Sequence, residues 1–200
     1  MSILNTLGPS ALEVANYMIE YENKHNRIIN QQKLIHMLYI AQGFFLVLNN
    51  ESLFYDTIMS NEKMSIIIPS IIDAFMKYGL DPIYKPFKKG ENITEYMWLR
   101  TEMEKEYPGV ISKLKTISFD FNKKQKNIIH QVCEHVRNFN NIEIANYNIK
   151  SPYTSFSQHK ETYILTADMM KKEFSLRLEY LKKQFEKSKE EKIINLDNFR

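Results

Sequence analysis

The sequence predicts a mainly α-helical single domain, a bundle built round one buried central helix. Three observations carry that prediction. Apolar residues recur at helical spacing along the chain, and the longest such pattern runs from Ile29 to Asn50. Glycine and proline are scarce, 5 and 6 in 200 residues, which disfavours a turn-rich all-β fold. Hydrophobic residues make up 44% and charged residues 26%, an ordinary globular balance in a chain long enough for one real core.

Totals also bound the function. Lys and Arg exceed Asp and Glu by 27 to 24, a net charge of +3, too small to argue for nucleic acid. One cysteine excludes an internal disulfide and suits a reducing compartment. No apolar run approaches the roughly 18 residues that a membrane span needs. The start, MSILNTLGPS, lacks the basic residues and long apolar core of a signal peptide. The expectation is a soluble cytoplasmic protein that contacts neither membrane nor nucleic acid.

Pro9 and Ser10 open the first helix, expected over Ala11 to about Asn23, with Ala11, Val14, Ala15, Met18 and Ile19 as its apolar stripe. A polar link leads to the central helix. Asn30 is its natural N-cap, because its side-chain oxygen can accept from an otherwise unpaired backbone N–H. Ile29 and Leu34 are placed to form a hydrophobic staple. Leu34, Leu38, Ala41, Phe45 and Leu48 share one face, Met37 and Phe44 widen it, and Ile35, Tyr39 and Leu46 extend it. Most of this helix is therefore expected to be buried. Its polar residues are the informative ones. Lys33, His36, Ile40 and Gly43 share a second face. Gly43 costs about 1 kcal/mol against alanine in a helix, so it needs a reason, and close approach of another backbone is one. Gln42, among apolar neighbours, needs a hydrogen-bond partner. Either these groups are satisfied inside a core helix, or Lys33, His36 and Gln42 are offered to a binding partner.

Between Glu51 and Ser65 the helical pattern lapses, and LFYDTIM is β-prone. The 51–66 and 110–121 segments have the composition to form a short β-hairpin. Ile66 to Tyr78 reads as a third helix, with Pro69 suited to its first turn and Gly79 to its stop. The loop after it holds a small basic knot, Lys85, Lys88 and Lys89, beside Tyr84 and Phe87, better read as a solvated turn than as a nucleic-acid site. Signals are mixed from Ile93 to Ser118, a stretch that includes Trp98, the only tryptophan. Asp120 or Asn122 then starts a helix with Ile128, Ile129, Val132, Val136 and Phe139 as its core stripe. Thr166 is the expected N-cap of a last helix, with Leu165 and Met170 as a staple and with Met170, Phe174, Leu178, Leu181 and Phe185 as its stripe. That stripe can pack on the domain or on another copy of the chain, so self-association through it is an open expectation. The tail IINLDNFR is expected to be loose unless bound.

KLIHMLYIAQGF, at Lys33–Phe44, resembles the signature of the Panacea domain, the family of SocA-like antitoxins and GepA-like phage-associated proteins. The family form is approximately KLQKLLYFAQGW. Lys33, Leu34, Leu38, Tyr39, Ala41, Gln42 and Gly43 match it, while Ile35, His36 and Phe44 depart. ALEVANYMIEY upstream, Leu53-Phe54, and IIPSIIDAFMKYGLDPI downstream resemble further family segments in the same order. The family's W-x-x-G-P-V motif is lost at Asn61 to Ile66. Ser151-Pro152-Tyr153 resembles a C-terminal family pattern, and 93–118 has no counterpart and reads as an insertion. On this division, residues 1–165 form the Panacea-like helical domain and 166–200 a C-terminal amphipathic helix and tail.

The resemblance implies an antitoxin-like protein that neutralises a cognate toxin by direct binding, with delivery of the toxin to a protease as a further role. The alternative is a phage or mobile-element protein that binds a host factor without a toxin. Candidate partner-binding residues are Lys33, His36, Tyr39, Gln42, Phe44, Phe54 and Tyr55. No catalytic, cofactor or metal site is assigned. In HQVCEH, His130, Cys133 and Glu134 share a helical face, but zinc prefers four ligands and no fourth lies nearby. There is no GxSxG elbow and no GxxxxGK phosphate loop, so no enzyme is predicted.

Overall fold

The computed structural model describes residues 8–60, 65–87, 119–149 and 162–197, and among them the fold is mainly α-helical. The described residues hold six α-helices: α1 (Ala11–Lys24), α2 (Gln31–Asn49), α3 (Pro69–Phe75), α4 (Lys123–His135), α5 (Asn141–Ile149) and α6 (Ala167–Asp197). α2 touches each of the other five. It is the axis of the domain, as its sequence predicts.

Local chemistry sets the helix boundaries. Ser10 and Glu13 close a capping box at the start of α1, and Asn122 and Gln125 do the same for α4. Asn30 Oδ1 accepts from the Lys33 backbone N–H at 2.9 Å, and Ile29 and Leu34 on either side are buried. Asn50 ends α2 in the left-handed conformation, φ +57°, and its N–H bonds to the Leu46 carbonyl. α3 starts at Pro69, and Ile66–Ile67 before it is a strand rather than a first turn. After Phe75 the chain tightens into a 3-10 turn, Met76–Tyr78, which Gly79 stops at φ +53°. Thr166 Oγ1 accepts from the Met169 N–H at the start of α6. That helix runs through Asp197, so residues 193–197 of the expected loose tail continue it.

The β-structure differs from the expected hairpin. β1 (Met59–Ser60) is the middle strand of a small antiparallel sheet, between β2 (Ile66–Ile67) and β3 (Tyr163–Ile164). Met59 faces Ile67 on one side and Ile164 on the other. The Leu165 N–H donates to the Ile58 carbonyl at 2.8 Å, extending the β1–β3 pairing. The second partner thus comes from the segment before α6, a pairing no local pattern encodes. Residues 119–121, the described end of the 110–121 segment, form no strand; the rest of that segment, Trp98, Lys88, Lys89 and Ser151–Tyr153 lie outside the described residues.

Loops are pinned to the helices by buried and half-buried polar side chains. Asn16 on α1 exchanges two hydrogen bonds with the Phe87 backbone, at 2.7 and 2.8 Å. Asp56 accepts from the Ala11 N–H and from the Ser70 hydroxyl, tying the starts of α1 and α3 together. Arg27 bridges Glu22 and Glu134, which fastens the end of α1 to α4. Bonds from Arg27 and Tyr21 hold the Glu134 carboxyl down at about 2.

Candidate functional site

The site grows out of the central helix. On α2, Ile40, Phe44 and Leu48 lie four residues apart and form one ridge. Their exposure rises along it: Ile40 is fully buried, Phe44 half-buried and Leu48 56% exposed. Leu48 is thus a correction to the expected core face. The ridge emerges because α4 and α6 flank α2 and leave one side of its last turn uncovered. Ile128 and Val132 of α4 make one wall, and Leu178 and Leu181 of α6 make the other. Tyr147 of α5 closes one end, packed edge-on against His135 at 5.3 Å. The result is an apolar groove of about 300 Å³. Gln131 and His135 also line a more open recess beside His130, Glu134, Arg137, Asn138 and Phe139.

α6 is held in place by two devices. A Cβ at Gly43 would overlap the ring of Phe174, so the missing side chain is a notch that seats this ring. The expected close approach at Gly43 is real, but an aromatic side chain makes it, not a backbone. Phe174 also packs edge-on against Tyr39 and Phe44. Beside it lies a buried polar network. The Tyr39 hydroxyl donates to Glu173 at 2.8 Å, and Arg177 pairs with the same carboxylate and donates to the Tyr147 carbonyl. Burial raises the Glu173 carboxyl, outweighing the neighbouring guanidinium, and burial with the Glu173 charge raises the Tyr39 phenol.

The residues nominated from sequence divide cleanly. Lys33, His36, Tyr39, Gln42 and Phe54 are at most 7% exposed. As surface contacts these five are corrected to core positions. The Lys33 ammonium donates to the Arg137 and Phe139 carbonyls, complementing the negative end of α4. Gln42 Oε1 accepts from the Leu53 and Phe54 N–H groups at 2.8 and 3.1 Å, and its Nε2 donates to the Phe54 carbonyl at 3.2 Å. Burial pulls the His36 imidazole down to about 4. Phe44 and Tyr55 keep exposed surface; Phe44 lines the groove, and Tyr55 is not among its lining residues.

In the HQVCEH segment, His130 meets the Tyr17 hydroxyl at 2.9 Å, Glu134 is engaged by Arg27 and Tyr21, and Cys133 is buried with its thiol pushed up. Among the described residues no group of three or more metal-ligating side chains converges. Sequence reasoning missed Asp56, Glu173 and Arg177. The one available signal was the i, i+4 spacing of Glu173 and Arg177 beside an apolar stripe.

What the groove can do is bury apolar side chains. Each large one it takes up fully contributes about 1.5–3 kcal/mol of transfer free energy. Among the described residues no helix is long and apolar enough to cross a membrane. Comparison with family models, curated proteins and solved structures found no match.

Proposed function

We propose that this protein is a cytoplasmic, antitoxin-like binding protein that acts by occupying a partner protein, in the manner of the Panacea domain its sequence resembles. The apolar groove over Phe44 and Leu48 is the observation that carries this reading. It opens on the helix that bears the signature residues, and partner side chains can fill it. A specific complex buries on the order of 800 Å² on each partner, with apolar anchors at its centre. The groove supplies such a centre, with Leu48 and Leu181 as its exposed edge. On this reading the signature residues Gln42 and Gly43 serve binding indirectly, because they hold the 53–54 loop and α6 in position. Neutralisation follows from occupancy, and presentation of the toxin to a protease is an added step.

Co-expression with the product of the adjacent gene tests the reading. The expected outcome is a complex that co-purifies and restores growth. Leu181→Asp is expected to weaken it at least about thirtyfold, the equivalent of roughly 2 kcal/mol at an interface centre, without altering the fold. Unchanged growth and no complex would remove the antitoxin reading. Capture of a host protein in a Leu181-dependent manner would favour the host-factor alternative.

A further inference from the structure

The groove carries a charge pattern as well as an apolar floor. Lys124 stands one turn before Ile128 on α4, and Lys171 and Lys182 stand seven residues before and four after Leu178 on α6. At 3.6 residues per turn these separations set each lysine along the same row of its helix as a groove residue, beyond the groove's own lining. Lys124 and Lys182 are exposed; Lys171 is half-buried, and its ammonium donates to Asn50 Oδ1 at 2.6 Å, just past Leu48. Among the described residues none of the three is paired with a carboxylate. Of the acids on the flanking helices, Glu173 is buried against Tyr39 and Arg177 and Glu134 is engaged by Arg27, while Asp168 and Glu179 stand three residues before Lys171 and Lys182 and lie about 80° and 100° round α6 from Leu178, on the side away from Leu181. Glu51, in the turn past Asn50, is a further exposed acid near this end of α2.

The backbone around the groove narrows the shape of its occupant. Floor, walls and end are all helical, so their N–H groups are already paired along the helices. An extended peptide laid there would bury backbone polar groups with no ladder to join. A helix satisfies its own backbone and presents side chains only. The Ile40–Leu48 ridge spans about 12 Å at 1.5 Å per residue, a little over two turns. That length matches anchors at i, i+4 and i+7 of a partner helix.

We propose that the groove receives an acidic amphipathic helix of the partner protein, its apolar residues on Phe44, Leu48, Leu178 and Leu181 and its carboxylates facing Lys124, Lys171 and Lys182. This assignment rests on the protein-binding reading above and gives that partner a chemistry.

The test uses the full chain and two stapled helical peptides of about four turns, with leucines at i, i+4 and i+7. One carries flanking glutamates and the other flanking lysines. Fluorescence anisotropy follows binding, and circular dichroism checks each variant's fold. The acidic probe is expected to bind about tenfold or more tightly than the basic one, with added salt closing the gap. The exposed double variant Lys124→Glu/Lys182→Glu is expected to reverse that preference, and Leu181→Asp to abolish binding of both. Equal or stronger binding of the basic probe would overturn the charge assignment and leave the groove as a protein-binding site. Binding of neither probe, alongside Leu181-dependent capture of a partner, would overturn the acidic helix alone. A dimer of the free chain that Leu181→Asp dissolves would give the groove to a second copy and overturn the proposal. Acidic-probe binding and partner capture both indifferent to Leu181→Asp would overturn this proposal and the function above together.

Discussion

Gln42 uses its side-chain oxygen twice and its amide nitrogen once, always on the backbone of residues 53–54. Gln42→Leu keeps the volume and strands two buried N–H groups and a carbonyl. An unpaired buried polar group costs roughly 1–3 kcal/mol, so a loss of about 3 kcal/mol after relaxation is expected in urea unfolding. Gly43→Ala pits about 1 kcal/mol of helix propensity against overlap with the Phe174 ring. Overpacking costs about 1–3 kcal/mol and dominates in a site walled by an aromatic ring. Net destabilisation is expected, and with Phe174→Leu added the pair should fall short of additivity by about 1 kcal/mol in a double-mutant cycle. The need for a partner at Gln42 and for close approach at Gly43 was legible from their place in an apolar helix. The identity of each partner was not, because Leu53, Phe54 and above all Phe174 come from other parts of the chain.

At the scale of elements, α6 is the helix whose attachment matters most to the groove, since Leu178 and Leu181 form one wall. Glu173 sits at its anchor, accepting from Tyr39 and pairing with Arg177. Glu173→Ala leaves a buried guanidinium and a buried phenol without their carboxylate. Breaking a buried pair from one side costs about 3–5 kcal/mol. The expected result is a loss of that order in denaturant unfolding, with faster amide exchange along α6. Tyr39→Phe, which removes one donor only, is expected to cost about 1 kcal/mol. Helix starts were legible residue by residue: Ser10, Asn30, Asn122 and Thr166 each accept from the first turn of the helix they precede. The strands were not. Two-residue strands carry too little alternation to specify a partner, and β1 pairs with residues more than 100 positions away.

For the whole molecule, acid is the informative perturbation. His36 is buried and its imidazole is pulled down to about 4 from an ordinary 6.5. The unfolded chain therefore takes up its proton first as the pH falls. The stabilising contribution is complete above about 6.5 and is lost progressively from there down to about 4. One such group changes stability by about 1.4 kcal/mol per pH unit inside that window, up to about 3 kcal/mol in total. His130 and His135, also lowered by burial, act in the same direction. Glu173, raised by burial, acts in the opposite one near the carboxylate range. Urea midpoints measured at pH 7.5, 6 and 5 are expected to fall steadily, and His36→Gln to flatten part of that slope.

By itself the sequence determined five of the six described helices, four of their N-caps and the central place of α2; α5 it did not announce. Periodicity and capping act over three or four residues, so the information is local. Tertiary structure alone decided that Lys33 and His36 are turned inward and not offered to a partner, which groups meet Tyr39 and Gln42, and that Leu48 faces out. It also decided that β1 pairs with β3, and that α4 and α6 stop short of closing over the end of α2. Each of those outcomes depends on which distant segments meet, a matter of packing that no spacing along the chain encodes.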